Sequence, residues 1–493
     1  APVFFVWTFA AALVNSTELR SDYRYGNIVN TTHGCVQGRS ENIPVKDGGH
    51  VQVDIFQGIP FAQPPVGDLR FRRPLPAVPW SGTLQATTPP NSCVQNSISP
   101  YVTQVPIEDF VPNPSTQFSE DCLYLTIWRP RVGTGQGKLT TMMWIHGGGL
   151  TLGSSTEPAY DGSNLAANEG VIVVSLNYRL GAIGFLSLNT EDAPGNMGLL
   201  DMTLALMWVR DNIREFRGDP ASITIFGESA GGLATSLFLV SPRTRGHFKN
   251  AIIQVTWPVR NCLSVYRNFL RQDALVVPIL SHHLKSHIKD FIAILSLDIQ
   301  NNFPKGWELG TQARQTSCPS SPILAYSYSF VPEFIPAIIV KVLELYDYHR
   351  LQEEDNNPSF SLLNSLFTDL IFDCPGRLLA TFYAQAKQKS YLYLMEHVRD
   401  ITTFADWVGA THGTDVPFVF GTTIPAWPVF SSREVKLHRN IMSFWASFAK
   451  FGRLWEGRTS FQNRQLGGHF VLSSCGKGGD RFRIGSTWTL CVV

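Results

Sequence analysis

Three short stretches carry residue types able to do chemistry together. Gly227-Glu228-Ser229-Ala230-Gly231 places a serine between two glycines. It follows the apolar, β-branched run Ser222 to Phe226 and precedes Gly232 to Val240, which reads as a buried helix. Glycines at a strand-to-helix junction let the backbone turn sharply, holding the hydroxyl exposed at the apex above a helix N-terminus. Ser229 is therefore the candidate nucleophile. The second stretch, His146-Gly147-Gly148-Gly149, follows the strand-like Thr141 to Ile145. Its bare N–H groups, those of Gly148 and Gly149, together with that of Ala230, would make an oxyanion hole for a tetrahedral acyl intermediate. The third is Thr411-His412-Gly413-Thr414-Asp415. Of nine histidines after Ser229, His412 has the best setting, a loop between the strand-like Tyr391 to Met395 and the apolar Val416 to Gly421. Its role would be general base toward Ser229 and general acid toward a leaving alcohol.

The surrounding pattern suits such a site. Val51 to Ile55 alternates like a strand, and Gly58 to Ala62 with the proline-rich segment to Trp80 reads as loop. Cys122 to Trp128 and Val171 to Tyr178 are further strands, the second apolar enough for the middle of a parallel sheet. Asn196 to Phe216 carries Leu200, Leu204, Met207 and Trp208 at helical spacing, and Ala251 to Ile253 is a short strand. The alternation of strand and helix predicts a doubly wound α/β fold.

Composition bounds the rest. The chain has 493 residues, 44% hydrophobic and 16% charged, with a net charge of +1, which gives no reason to expect a nucleic-acid partner. No linker-like run, repeat or charge block divides it, so one large domain is allowed. Residues 1–14 read as a signal peptide whose start is incomplete, followed by the sequons at Asn15 and Asn30. A secreted chain is expected, and no other segment reads as a membrane span. The eight cysteines are widely spaced without zinc-like pairing, so no metal or cofactor is expected.

Several motifs in order then show a family likeness. Gln57 to Ala62, Ser119 to Leu125, the glycine loop at His146, Asn177-Tyr178-Arg179 and Gly227 to Gly232 resemble the type B carboxylesterases and cholinesterases, over roughly residues 22–454. The resemblance implies an α/β-hydrolase fold, with a large, mostly parallel twisted sheet flanked by helices. It implies a Cys93–Cys122 disulfide and internal ion pairs of Arg70 with Glu120 and of Arg179 with Asp211. The family's histidine motif falls on His412. The activity implied is hydrolysis of small-molecule carboxylic esters through an acyl-serine.

The triad acid has no match. The family places a glutamate after a central strand, between elbow and histidine, but Ser327 to Pro332 leads through Glu333 almost directly into a run resembling a later helix, Val340 to Tyr348. The acid-bearing strand is expected to be missing, as in an alternatively spliced or incompletely assembled chain. Spacing leaves Glu333, Glu344, Asp347, Asp369 and Asp373 as candidates, and a lost acid typically costs ~10⁴ in kcat. Val111 to Gln117, where cholinesterases hold an aromatic against quaternary ammonium, contains none, which disfavours choline specificity. Tyr326 and Tyr328 resemble acyl-pocket aromatics. Residues 455–493 depart from the family and read as a tail without strand or helical period, and Cys475 or Cys491 would have to pair with Cys374. The second expectation is a non-catalytic adhesion or binding module.

Overall fold

The computed structural model describes residues 27–95, 117–131, 137–254, 388–395, 397, 412–422 and 430–453, the backbone of two strands within 480–492, and scattered helical positions between 362 and 383. The chain divides into two compact units, Ala1–Asp273 with Ile371–Val493, and Ala274–Leu370. Of the second unit, Leu362, Ser365 and Thr368 are helical positions, and Leu362 is buried. Everything that follows belongs to the first.

Its central sheet contains β1 (Arg39–Pro44), β2 (His50–Pro60), β3 (Tyr124–Pro130), β4 (Leu139–Ile145), β5 (Ile172–Leu176), β6 (Gly218–Glu228) and β7 (Asn250–Gln254), in the spatial order β7-β6-β4-β5-β3-β2-β1. The sheet is mixed. β5, β4, β6 and β7 run parallel, while β1, β2, β3 and β5 pair antiparallel.

Period-two alternation splits the apolar strand residues between two cores. Met143, Ile145, Val174 and Ile225 face a core shared with helices α1 (Met197–Asn212) and α2 (Ala230–Val240). Met142, Trp144, Val173 and Phe226 face the opposite core, shared with α3 (Val416–Phe420) and α4 (Ser432–Phe451). Helix α4 begins with a capping box between Ser431 and Glu434. On α1 the buried stripe is Leu199, Met202, Leu206 and Val209, and Met207 is exposed.

Several sequence expectations are corrected. Gly58 to Pro60 is strand, not loop: the register shifts between Gln57 and Ile59, and Gly58 (φ +78°) supplies the bulge. Arg179 pairs with Asp201, not Asp211. Asp211 lies ten residues further along α1, about 15 Å down its axis, and is exposed. The tail contains two strands, Asp480–Ile484 and Trp488–Val492, and the second pairs with both the first and Tyr391–Met395. The polar/apolar alternation of Asp480 to Ile484 was the overlooked signal. Among the described residues β7 has β6 as its one neighbour, and Tyr391–Met395 belongs to the tail's sheet instead.

Arg70 does pair with Glu120, with Nε to Oε1 at 2.5 Å, and Cys93 and Cys122 form a disulfide. Residues 1–14, Asn15, Val111 to Thr116, Tyr326, Tyr328, Cys374 and all five candidate acids lie outside the described residues, as do the side chains of Cys475 and Cys491.

Candidate active site

The site grows from the end of β6. Gly227 leaves no room for a side chain: a Cβ there would lie 2.6 Å from the Gly231 backbone and 2.7 Å from the Ile145 carbonyl oxygen. A Cβ on Gly231 would land on the same carbonyl oxygen. Close packing of β6 and α2 against β4 therefore demands both glycines. Between them Ser229 adopts φ +54°, ψ −118°, a costly conformation for a residue with a side chain. Its N–H donates to the Gln254 carbonyl at 2.9 Å, tying the turn to β7. The serine is buried, 5% exposed, rather than presented at an open apex.

The glycine loop lies against this turn. A Cβ on Gly147 would sit 3.2 Å from Ser229 Cβ and 2.6 Å from Glu228 Oε2. Gly148 and Gly149 both have positive φ (+99° and +62°). Among the described residues no acceptor takes the N–H of Gly148, Gly149 or Ala230. His146 anchors the loop: it is buried, stacks on Tyr178 at 4.3 Å, and its Nδ1 lies 2.9 Å from the Gly147 carbonyl. Burial pushes its imidazole down to about 4, so it is a neutral structural residue. The Tyr178 hydroxyl donates to the His146 carbonyl at 2.9 Å.

His412 arrives from the turn before α3, with its side chain 38% exposed. Its Nε2 stands 3.1 Å from Oε1 of Glu228, at ion-pair distance but without hydrogen-bond alignment. Burial lowers the His412 imidazole to about 4. Burial first, then the charges of Asp415 and Glu157, pushes the Glu228 carboxyl well above the usual range.

Sequence reasoning missed the groups around this pair. Glu228 occupies the variable position of the serine motif itself, an ionisable residue ending an otherwise apolar strand, and that signal was available. Asp415 follows His412 by three residues and is buried, accepting from Gln254 Nε2 (2.9 Å) and the Tyr393 hydroxyl (3.3 Å). Trp445 Nε1 donates to Gln254 Oε1 at 3.1 Å, completing a network that joins β7 to α4. Burial also raises the Asp415 carboxyl. Among the described residues no group of side chains is arranged to hold a metal ion.

Comparisons with known proteins agree with this geometry. Residues 26–268 and 325–465 match the Carboxylesterase family. A cholinesterase of Mus musculus is 33% identical over 89% of this chain and 82% of its own length. An acetylcholinesterase of Leptinotarsa decemlineata is 31% identical, covering 86% of this chain and 79% of its own length. A carboxylesterase 1D of Mus musculus is 32% identical over 86% and 85% respectively. A serine elbow on a mixed sheet, a glycine loop packed on it and matches over most of the chain have one reading: the chain belongs to the carboxylesterase family and has its α/β-hydrolase fold.

Proposed function

We propose that this chain hydrolyses carboxylic esters through an acyl-serine at Ser229. The observation that carries this reading is the backbone of Ser229, held at positive φ between two glycines that admit no side chain. Strain of this kind persists where the surrounding structure over-determines it, and it clusters at active sites. In the proposed cycle Ser229 Oγ attacks the ester carbonyl while His412 takes its proton. The N–H groups of Gly148, Gly149 and Ala230 receive the developing oxyanion. His412 returns the proton to the leaving alkoxide, and water repeats the sequence on the acyl-enzyme. The substrate is a small-molecule carboxylic ester, and the steps as drawn call on no cofactor. The expected signal segment, the Asn30 sequon on an exposed strand position and the Cys93–Cys122 disulfide support a secreted chain. No helix among the described residues is long and apolar enough to cross a membrane.

A second reading, a cholinesterase-like binding module without turnover, is favoured by one observation: His412 Nε2 lies 3.1 Å from Glu228 Oε1 without hydrogen-bond alignment. A fluorophosphonate probe separates the two. Covalent labelling of the folded protein that disappears in Ser229→Ala supports the hydrolase. A folded chain that stays unlabelled supports the binding module.

A further inference from the structure

A cavity of about 320 Å³ has neither Ser229 nor His412 in its lining. Ligand cavities run from roughly 300 to 1,000 Å³, so this one suits a small molecule. The sheet contributes Arg39 from β1, Gln57 from the bulge of β2 and Trp128 from β3. The loop that follows the glycine turn contributes Ser155, Glu157 and Asp161. The Arg39 guanidinium is fixed in place: its Nε donates to Glu41 Oε1 at 2.8 Å, and its Nη1 to Gln57 Oε1 and to the Thr87 carbonyl. Among the described residues nothing accepts from Arg39 Nη2 or from Gln57 Nε2. The loop brings the opposite charge. Asp161 Oδ1 accepts from the Ser163 N–H at 2.8 Å, while its Oδ2 has no donor among the described residues. The carboxyl of Glu157 is buried in the same lining, its Oε1 held by the Ser154 N–H at 2.9 Å. Ser155 is 3% exposed, and its hydroxyl has no partner among the described residues, a cost that a ligand would offset.

A purely anionic ligand would meet two carboxyls here, and a purely cationic one would meet Arg39, so either would be repelled by part of the wall. A molecule that carries both charges and an apolar group finds a complement for each. We propose that this cavity binds a zwitterion of amino-acid size with an apolar side chain. Its carboxylate takes the donors of Arg39 Nη2 and Gln57 Nε2. Its ammonium group faces Asp161, with Glu157 in the same wall, and its side chain lies against the indole of Trp128 and the ring of Pro158. Hydrogen bonds to charged partners of this kind are each worth about tenfold or more in affinity. Turnover at Ser229 plays no part in this binding, so its test leaves the hydrolase reading untouched.

The test is equilibrium dialysis of radiolabelled L-leucine against the full chain, Arg39→Gln and Asp161→Asn, with circular dichroism to establish that each is folded. L-leucinamide, which lacks the carboxylate, and 4-methylpentanoate, which lacks the ammonium group, serve as competitors. The parent is expected to bind L-leucine saturably, and each single-charge analogue to compete about tenfold or more less well. Arg39→Gln and Asp161→Asn should each weaken L-leucine binding by a similar factor. No saturable binding to the folded parent overturns the proposal, as does competition by either analogue at the strength of L-leucine itself. Affinity unchanged in either folded variant puts the L-leucine elsewhere and overturns it too. If Arg39→Gln does not fold, Asp161→Asn and the two competitors decide by the same criteria.

Discussion

Nε2 of His412 lies 3.1 Å from Oε1 of Glu228, and Glu228 is covalently joined to Ser229. The imidazole is thereby brought to the turn of chain that carries the hydroxyl. Between them stands a carboxyl that burial pushes well above its ordinary range, beside a ring that burial lowers to about 4.

This pair makes stability depend on pH in a definite direction. The folded-state pKa of Glu228 lies above its ordinary 4.5, so the folded protein binds that proton more tightly than the unfolded chain. Its contribution to stability is complete below about pH 4.5 and is lost as pH climbs through the raised folded value. Each unit of displacement amounts to about 1.4 kcal/mol at the alkaline end. Glu228→Gln, which has no proton to lose, should gain stability over the parent as pH rises from 4 to 9. Thermal unfolding at intervals across that range checks it, and parallel curves for the two proteins would contradict it.

Ser229 should pay for its conformation in stability. Holding a non-glycine residue at φ +54° costs of order 1–3 kcal/mol, against which a glycine loses about 0.5–1 kcal/mol to chain entropy. Ser229→Gly is therefore expected to be more stable than Ser229→Ala by about 1 kcal/mol, with neither variant labelled by the fluorophosphonate. Urea unfolding of the two variants measures the difference directly. Equal midpoints would mean that the elbow stores no strain.

Arg179 tests the packing beneath the site. Its buried guanidinium donates to both carboxylate oxygens of Asp201, at 2.8 and 2.7 Å, and its N–H donates to the same carboxylate at 3.0 Å. Asp201→Asn leaves a buried cation uncompensated and should cost about 3–5 kcal/mol. Asp211→Asn, at an exposed position, should stay within about 0.5 kcal/mol of the parent. Denaturant unfolding of both variants distinguishes the pairs, and the opposite ranking would refute the assignment.

The elbow was legible because its constraints are local. A serine flanked by glycines, after a β-branched run and before an apolar helix, already specifies the turn. The strand and helix spacings around it likewise follow from periodicity. Gly58 misled for an equally local reason, since a glycine two residues ahead of a proline signals a loop as readily as a bulge.

The sequence alone determined the turn around Ser229 and the glycine loop, and family likeness supplied the disulfide of Cys93 with Cys122. Only the tertiary structure decided which acid Arg179 meets, which carboxyl His412 faces and which strand the tail joins. Those pairings depend on the direction a side chain takes from its element and on the element packed opposite. Asp201 and Asp211 share a helix, yet one is buried against Arg179 and the other faces water. Glu228 reaches His412 because strand alternation aims it at the core of Phe226, where residues nearly two hundred positions later in the chain close the site.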